Sequence, residues 1–205
     1  MKLMAINGSP RKHSNTEILI DQVIAGCRSK TDVEVEKVTV VQKNIKYCTG
    51  CLTCCFPPPG TGICTIKDDM AEILEHMKAS DAFIFGTPNH MGTITAPLLN
   101  FLSRMMPLFD FKITYDEQGT MLGGELSSKI RDKKVAMVIS QGDPFFSSSL
   151  VYMVLEKNIH DFKLAKISDV LSRGNLDEKS VITKKEDLKI AFELGVQLVS
   201  GYGVK

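Results

Sequence analysis

The chain has 205 residues, with 25 basic and 24 acidic side chains and 43% hydrophobic residues. That length fits one domain able to bury about 70% of its unfolded surface. The balanced charge leaves no basic excess for holding nucleic acid and speaks against a shuttle that docks by acidic charge. No apolar run approaches the ~20 residues needed to cross a bilayer, and no secretory-signal pattern opens the sequence. A cytoplasmic protein with neither membrane nor nucleic-acid partners is expected. In that compartment, six cysteines read as thiols or metal ligands rather than structural disulfides.

Residues 2–6 form a short apolar run of the kind that makes a buried strand. It enters Asn7-Gly8-Ser9-Pro10-Arg11-Lys12-His13-Ser14-Asn15-Thr16, where Gly8 and Pro10 break regular structure and Ser14-Asn15-Thr16 start a helix. Backbone N–H groups, hydroxyls and a helix N-terminus, with Arg11 and Lys12 alongside, make a cradle suited to a phosphate. Leu19, Ile20, Val23, Ile24 and Cys27 then recur at helical spacing, and Cys27 reads as a small core residue. Residues 33–38 alternate, as in a strand near a sheet edge. Residues 42–67 are irregular and hold Cys48, Cys51, Cys54, Cys55, three consecutive prolines and Cys64. Asp68-Asp69 open a second helix, where acidic charge suits the dipole, and Met70, Ile73, Leu74 and Met77 share its apolar face.

Residues 82–86 have the unbroken apolar character of a central parallel strand. They deliver the chain into a second distinctive loop, Thr87-Pro88-Asn89-His90-Met91-Gly92-Thr93. A helix over 97–106 follows, with Leu98, Phe101, Leu102 and Met105 on one face and Leu99 and Met106 outside it. Two apolar sides fit deep burial or a subunit interface. Residues 110–134 show no clear period and read as a surface excursion, a candidate lid. Residues 135–139 are another buried strand, ending in Ser140-Gln141-Gly142-Asp143-Pro144. Leu150, Val151, Val154 and Leu155 mark a fourth helix, and residues 164–170 a weaker last strand. Thr183-Lys184-Lys185-Glu186 reads as the capping box of a C-terminal helix bearing Leu188, Ala191, Phe192 and Val199.

This alternation predicts an α/β fold: a three-layer sandwich whose five-stranded parallel sheet has the order 2-1-3-4-5, as one domain over residues 1–205. The ligand crevice of such a sheet lies outside the carboxyl ends of strands one and three. The loops after Ile6, Phe85 and Ile139 converge there.

The first loop is neither G-x-x-x-x-G-K-[ST] nor G-x-G-x-x-G, which removes support for ATP or a Rossmann-type dinucleotide. Gly8-Ser9-Pro10-Arg11 with Ser14-Asn15-Thr16, Lys67-Asp68-Asp69-Met70 and Thr87-Pro88-Asn89-His90-Met91-Gly92 together resemble the NADPH-dependent FMN reductase family of flavodoxin-like proteins. The resemblance implies that Ser9, Arg11, Ser14, Asn15 and Thr16 hold the FMN phosphate. It implies that Pro88, Asn89, His90, Met91, Gly92 and Thr93 line the flavin ring and ribityl chain, with Ser140, Gln141 and Gly142 closing the other side. His90 stands where that family usually has an aromatic residue, and is either a flavin partner or a neutral wall residue.

Cys48-x-x-Cys51-x-x-Cys54, with Cys64 as a fourth thiol, resembles the iron–sulfur flavoprotein branch, whose four-cysteine motif holds a 4Fe-4S cluster. The nine-residue gap before Cys64 is longer than usual there, and Cys55 leaves the third ligand open. Three readings stand for the loop: the cluster, redox-active or free thiols, and a structural zinc. The histidines form no motif; His13 is placed near the phosphate, and His76 and His160 on helix surfaces. The expected function is FMN-dependent oxidoreduction, with NAD(P)H as reductant and a small molecule or the cluster as acceptor. No side chain is assigned as a catalytic acid or base. The rival is a non-catalytic flavoprotein carrier reduced by a ferredoxin-type donor. The resemblance also implies a homodimer or homotetramer.

Overall fold

The computed structural model describes residues 1–56 and 61–201. Residues 57–60, which carry the three consecutive prolines, lie outside the described residues. In chain order the strands are β1 (Lys2–Asn7), β2 (Glu34–Thr39), β3 (Ala82–Pro88), β4 (Phe109–Tyr115), β5 (Met121–Ser128), β6 (Lys134–Ser140) and β7 (Ala165–Ser172). The helices are α1 (Asn15–Arg28), α2 (Met70–Ala79), α3 (Ala96–Ser103), α4 (Ser149–Asp161) and α5 (Lys185–Val199).

β1 shows why its sequence makes a central strand. Met4 and Ile6 enter one core with side chains of α2, α3 and α4, while Leu3 and Ala5 enter a second core with α1 and α5. A strand buried on both faces needs apolar residues at every position. The main sheet runs β2-β1-β3-β6-β7, all parallel. With the two strands outside this sheet set aside, that is the flavodoxin-like order 2-1-3-4-5.

Three local expectations are corrected. Residues 110–134 contain an antiparallel hairpin, β4 paired with β5. Its first strand alternates, and Phe109 packs inward against Phe162 with ring centroids 4.1 Å apart. The helix predicted to reach Met106 stops at Ser103, with Arg104 as its C-cap. Pro107 follows in a 3-10 turn, and its missing N–H could not have continued the α-helical ladder. The Thr183 capping box does not form. Its hydroxyl donates to the Ser180 carbonyl in a 3-10 turn, and Lys184 precedes α5 without a side-chain cap.

Helices α1 and α5 cross at glycines. A Cβ on Gly26 would lie 2.0 Å from the Phe192 carbonyl oxygen, and one on Gly195 would lie 1.9 Å from that of Val23. Only hydrogen fits there, so the two backbones meet directly. Among the described residues, no helix is long and apolar enough to cross a membrane.

Candidate functional site

The first loop is held open by its own short bonds. The Asn7 carboxamide oxygen accepts from the Ser9 N–H, and the Ser9 hydroxyl from the Arg11 N–H. Ser14 caps α1 by accepting the Glu17 N–H at 3.1 Å. The Asn15 and Thr16 N–H groups, on the first turn, make no bond to a protein acceptor among the described residues. These are the orphan donors of a helix start, which attract an anion.

Two further loops are tied to this one. The Thr95 hydroxyl, at the start of α3, donates to the Gly8 carbonyl at 2.6 Å, and the Thr16 and Ser140 hydroxyls bond at 2.7 Å. The result is a cavity of about 340 Å³, which falls in the usual range for ligand sites. Its walls include Ser9, Arg11, Ser14, Asn15, Thr16, Pro88, Asn89, His90, Ser140 and Gly142.

Four expected residues do not line it. Met91 has left-handed backbone and points outward, 87% exposed. His90 and Thr93 exchange backbone bonds in a tight turn, which takes Thr93 off the wall, and Gly92 sits against the Phe146 ring. Gln141 is buried behind the wall, where it accepts from the Asn89 amide and donates to the Asp143 and Phe146 carbonyls. It braces Asn89. His13 is exposed and also absent from the wall.

Asn15 carries a second correction. Its side chain turns away from the cradle, donating to the Asp177 carbonyl at 2.8 Å and accepting the Val181 N–H at 3.0 Å. That anchors a fourth wall, Asn175, Leu176 and Glu178, which the sequence reading missed. The available signal was position: this segment follows the last strand of the sheet, at the same edge as the other loops.

The walls fit a phosphorylated ring compound. The carboxamide oxygens of Asn89 and Asn175 are buried without a hydrogen-bond partner among the described residues, so each can accept from a ligand's donor. Exposed Met91, Phe145 and Leu176 supply apolar surface nearby.

The cysteines form a separate site. Cys48, Cys51, Cys54, Cys55 and Cys64 all line one small apolar cavity of about 40 Å³, with Met106 beside them. None is in a disulfide. Hydrogen bonds from the Thr53 backbone, then from the Thr53 and Thr65 hydroxyls, bring the exposed Cys51 thiol down to about 7. Burial, and then the neighbouring Cys55 and Cys64, push Cys54 up to about 11. Cys55 is fully buried and donates to the Leu52 carbonyl at 3.3 Å. Cys27 is far from this loop in the α1–α5 core, bonded to the Gly195 carbonyl, and burial raises it to about 11. Among the described residues, no three His, Cys, Asp or Glu side chains are placed to hold one metal ion.

Asp68 and Asp69 do more than start a helix. Asp69 accepts the Asn44 N–H, while Asp68 accepts the Lys46 and Met70 N–H groups and a fork of bonds from Arg104. Burial opposes the Asp68 charge, but Arg104 and the two N–H groups outweigh it and hold the carboxyl below its usual range. For Arg104, burial likewise disfavours the charge, and Asp68 more than restores it.

The parallel sheet, with its open helix start at the topological switch point, defines a flavodoxin-like protein. The profile of the NADPH-dependent FMN reductase family matches residues 1–147, and the chain belongs to that family. An iron-sulfur flavoprotein of Archaeoglobus fulgidus is 38% identical over 107 residues, covering 52% of this chain and 46% of the relative. An iron-sulfur flavoprotein of Methanosarcina thermophila is 32% identical over 108 residues, covering 53% and 54%. The chain spans about half the length of the curated relatives it matches. Among solved structures, a Bacillus anthracis azoreductase superposes with a TM-score of 0.71 at 14% identity, covering 96% of this chain and 99% of that one. The NAD(P)H:quinone oxidoreductase of Methanothermobacter marburgensis gives 0.65 at 13% identity, covering 96% and 95%. These two likenesses show the fold.

Proposed function

We propose that this chain is an FMN-dependent oxidoreductase that takes electrons from NAD(P)H and passes them to a small acceptor or to a 4Fe-4S cluster. The observation that carries the reading is the four-walled cavity, with free N–H donors at one end and two unpartnered carboxamide oxygens along its sides. The phosphate would be held by the Ser9 and Ser14 hydroxyls, Arg11 and the Asn15 and Thr16 N–H groups. Pro88, Asn89 and His90 would face the ring from one side, Gly142 and Leu176 from the other. Bound there, FMN supplies hydride acceptance and one-electron transfer. The chain's own work is to orient the ring through Asn89, which Gln141 keeps from rotating, and to exclude water with its apolar rim. No acid or base is required for hydride transfer, so none is assigned.

The cysteine cavity is the second cofactor site in this reading, with Cys48, Cys51, Cys54 and Cys64 as ligands. The buried bond of Cys55 to Leu52 favours Cys54 as the third ligand. A zinc ion gathers four sulfurs around one point, whereas each iron of a cluster takes its own thiolate. The shared cavity offers the separate thiolates that a cluster needs. The relatives named iron-sulfur flavoprotein support the same choice. The working unit in this reading is one cytoplasmic domain over residues 1–205, with its cysteine-rich loop at 42–67, assembled as a homodimer or homotetramer.

The test is an absorption spectrum of anaerobically purified protein with iron and sulfide assays, followed by NADH and NADPH oxidation with a quinone or free flavin as acceptor. Flavin bands, about four irons per chain and turnover with either nucleotide are expected. Flavin without iron rejects the cluster. Rapid reduction by ferredoxin with no nucleotide turnover leaves a carrier instead of a reductase.

A further inference from the structure

The neck of the cysteine loop closes on one buried ion pair. Arg104 and Asp68 are 1% and 0% exposed in their side chains, with Nη1 to Oδ2 at 2.6 Å and Nη2 to Oδ1 at 3.0 Å. The same guanidinium reaches both ends of the loop. Nη1 donates to the Lys46 carbonyl at 2.5 Å, two residues before Cys48, and Nη2 donates to the Cys64 sulfur at 3.6 Å. Asp68 adds the Lys46 N–H at 2.8 Å.

A buried pair like this is seldom kept for stability alone, because apolar residues of the same volume often do as well. Lysine cannot replace it, since an ammonium lacks the rigid planar fork that addresses a carboxylate, a carbonyl and a sulfur together. Fixed by Asp68, the second Nη2 proton is left for Cys64. Its position does not depend on solvent.

We infer that Arg104 is a positioning residue for the cysteine site: it orients the Cys64 sulfur and donates a hydrogen bond to it that raises the reduction potential of the bound cluster. This rests on the cluster reading given above. Reduction adds one electron, supplied in the experiment by dithionite, and so one negative charge to the cluster. No bond forms or breaks and the guanidinium keeps its protons. A donor on a ligand sulfur favours the more negative state, so removing it lowers the potential.

The test uses the full chain reconstituted anaerobically with FMN, iron and sulfide. Two measurements are made: an EPR-monitored redox titration of the native protein and Arg104→Lys, and pulsed EPR of reduced native protein grown with guanidinium-15N arginine. The native cluster should show a coupled 15N nucleus. Arg104→Lys should keep its iron and its flavin potential while its cluster reduces about tenfold less favourably, a shift of about 59 mV for one electron. An unshifted cluster in iron-replete Arg104→Lys, or a native cluster without 15N coupling, overturns the role of Arg104 and leaves the cluster reading intact. Native protein that takes up FMN but no iron overturns both. Should Arg104→Lys fail to fold, the 15N coupling of the native protein decides alone.

Discussion

Asn15 and Gln141 show how a side chain can support the walls of a cavity without opening onto it. Asn15 contributes a backbone N–H to the cradle, while its side chain holds the segment that forms the fourth wall. Asn15→Ala removes the bonds to Asp177 and Val181, worth roughly 1 kcal/mol each, and a longer one to the Asn175 carbonyl. The expected outcome is a melting temperature lower by about 4–8 °C, with a several-fold weaker FMN dissociation constant by flavin fluorescence quenching. Asn15→Asp keeps the acceptor for Val181 and should recover part of the loss. The polar identity of Asn15 was plain in the sequence, but the direction of its side chain was not, because its partners lie some 160 residues away. Arg104 was hidden for a similar reason. A single charge in an apolar helix gives no hint of a carboxylate 36 positions earlier that makes it safe to bury.

At the level of elements, the double-sided strands were the most legible part, because burial on both faces leaves an unbroken apolar run. The hairpin was half legible. Phe109-Asp110-Phe111-Lys112-Ile113 alternates as a half-buried strand should, but Gly123 and Gly124 erase the pattern from its partner. The glycine crossing of α1 and α5 left no periodic mark at all. Gly195→Ala drives a Cβ into a backbone carbonyl and should cost about 1–3 kcal/mol in denaturant unfolding. Gly123→Ala, with nothing within 4 Å of the added carbon, should change little in the same experiment.

The α2–β2 contact adds a pH dependence. His76 bonds Glu36 and lies 4.0 Å from Glu72. The Glu36 hydrogen bond, with both carboxylate charges, raises it above its ordinary 6.5 despite slight burial. A raised histidine stabilises the fold fully below its unfolded value and loses that contribution as pH climbs through the folded one. Stability should therefore decline modestly as pH rises from about 6 toward 8, by a few tenths of a kcal/mol for so exposed a pair. His76→Gln should flatten that part of the Tm–pH curve.

On the scale of the whole molecule, protection against hydrogen exchange should follow the layers. β1, β3 and β6 are paired on both edges and covered on both faces, whereas β4 and β5 pair only with each other and expose Tyr115, Met121, Leu122 and Leu126. A two-stranded ribbon is marginal by itself. Hairpin amides should exchange through local opening at free energies well below the global value, and central-strand amides only through global unfolding. Equal protection in both would mean that the hairpin is covered in solution, as a homo-oligomer would cover it.

The direct meeting of α1 and α5 also has a meaning in time. The cradle residues and α1 leave the ribosome well before the helix that covers Val23, Gly26 and Cys27, which is built from residues 185–199. The Cys27 thiol waits for a carbonyl 168 residues downstream. Contacts of such long range form slowly and leave apolar surface open meanwhile. Until residues 185–199 emerge, the α1 face that carries Val23, Gly26 and Cys27 stays open, so the helix that begins at the first loop must wait for its packing partner.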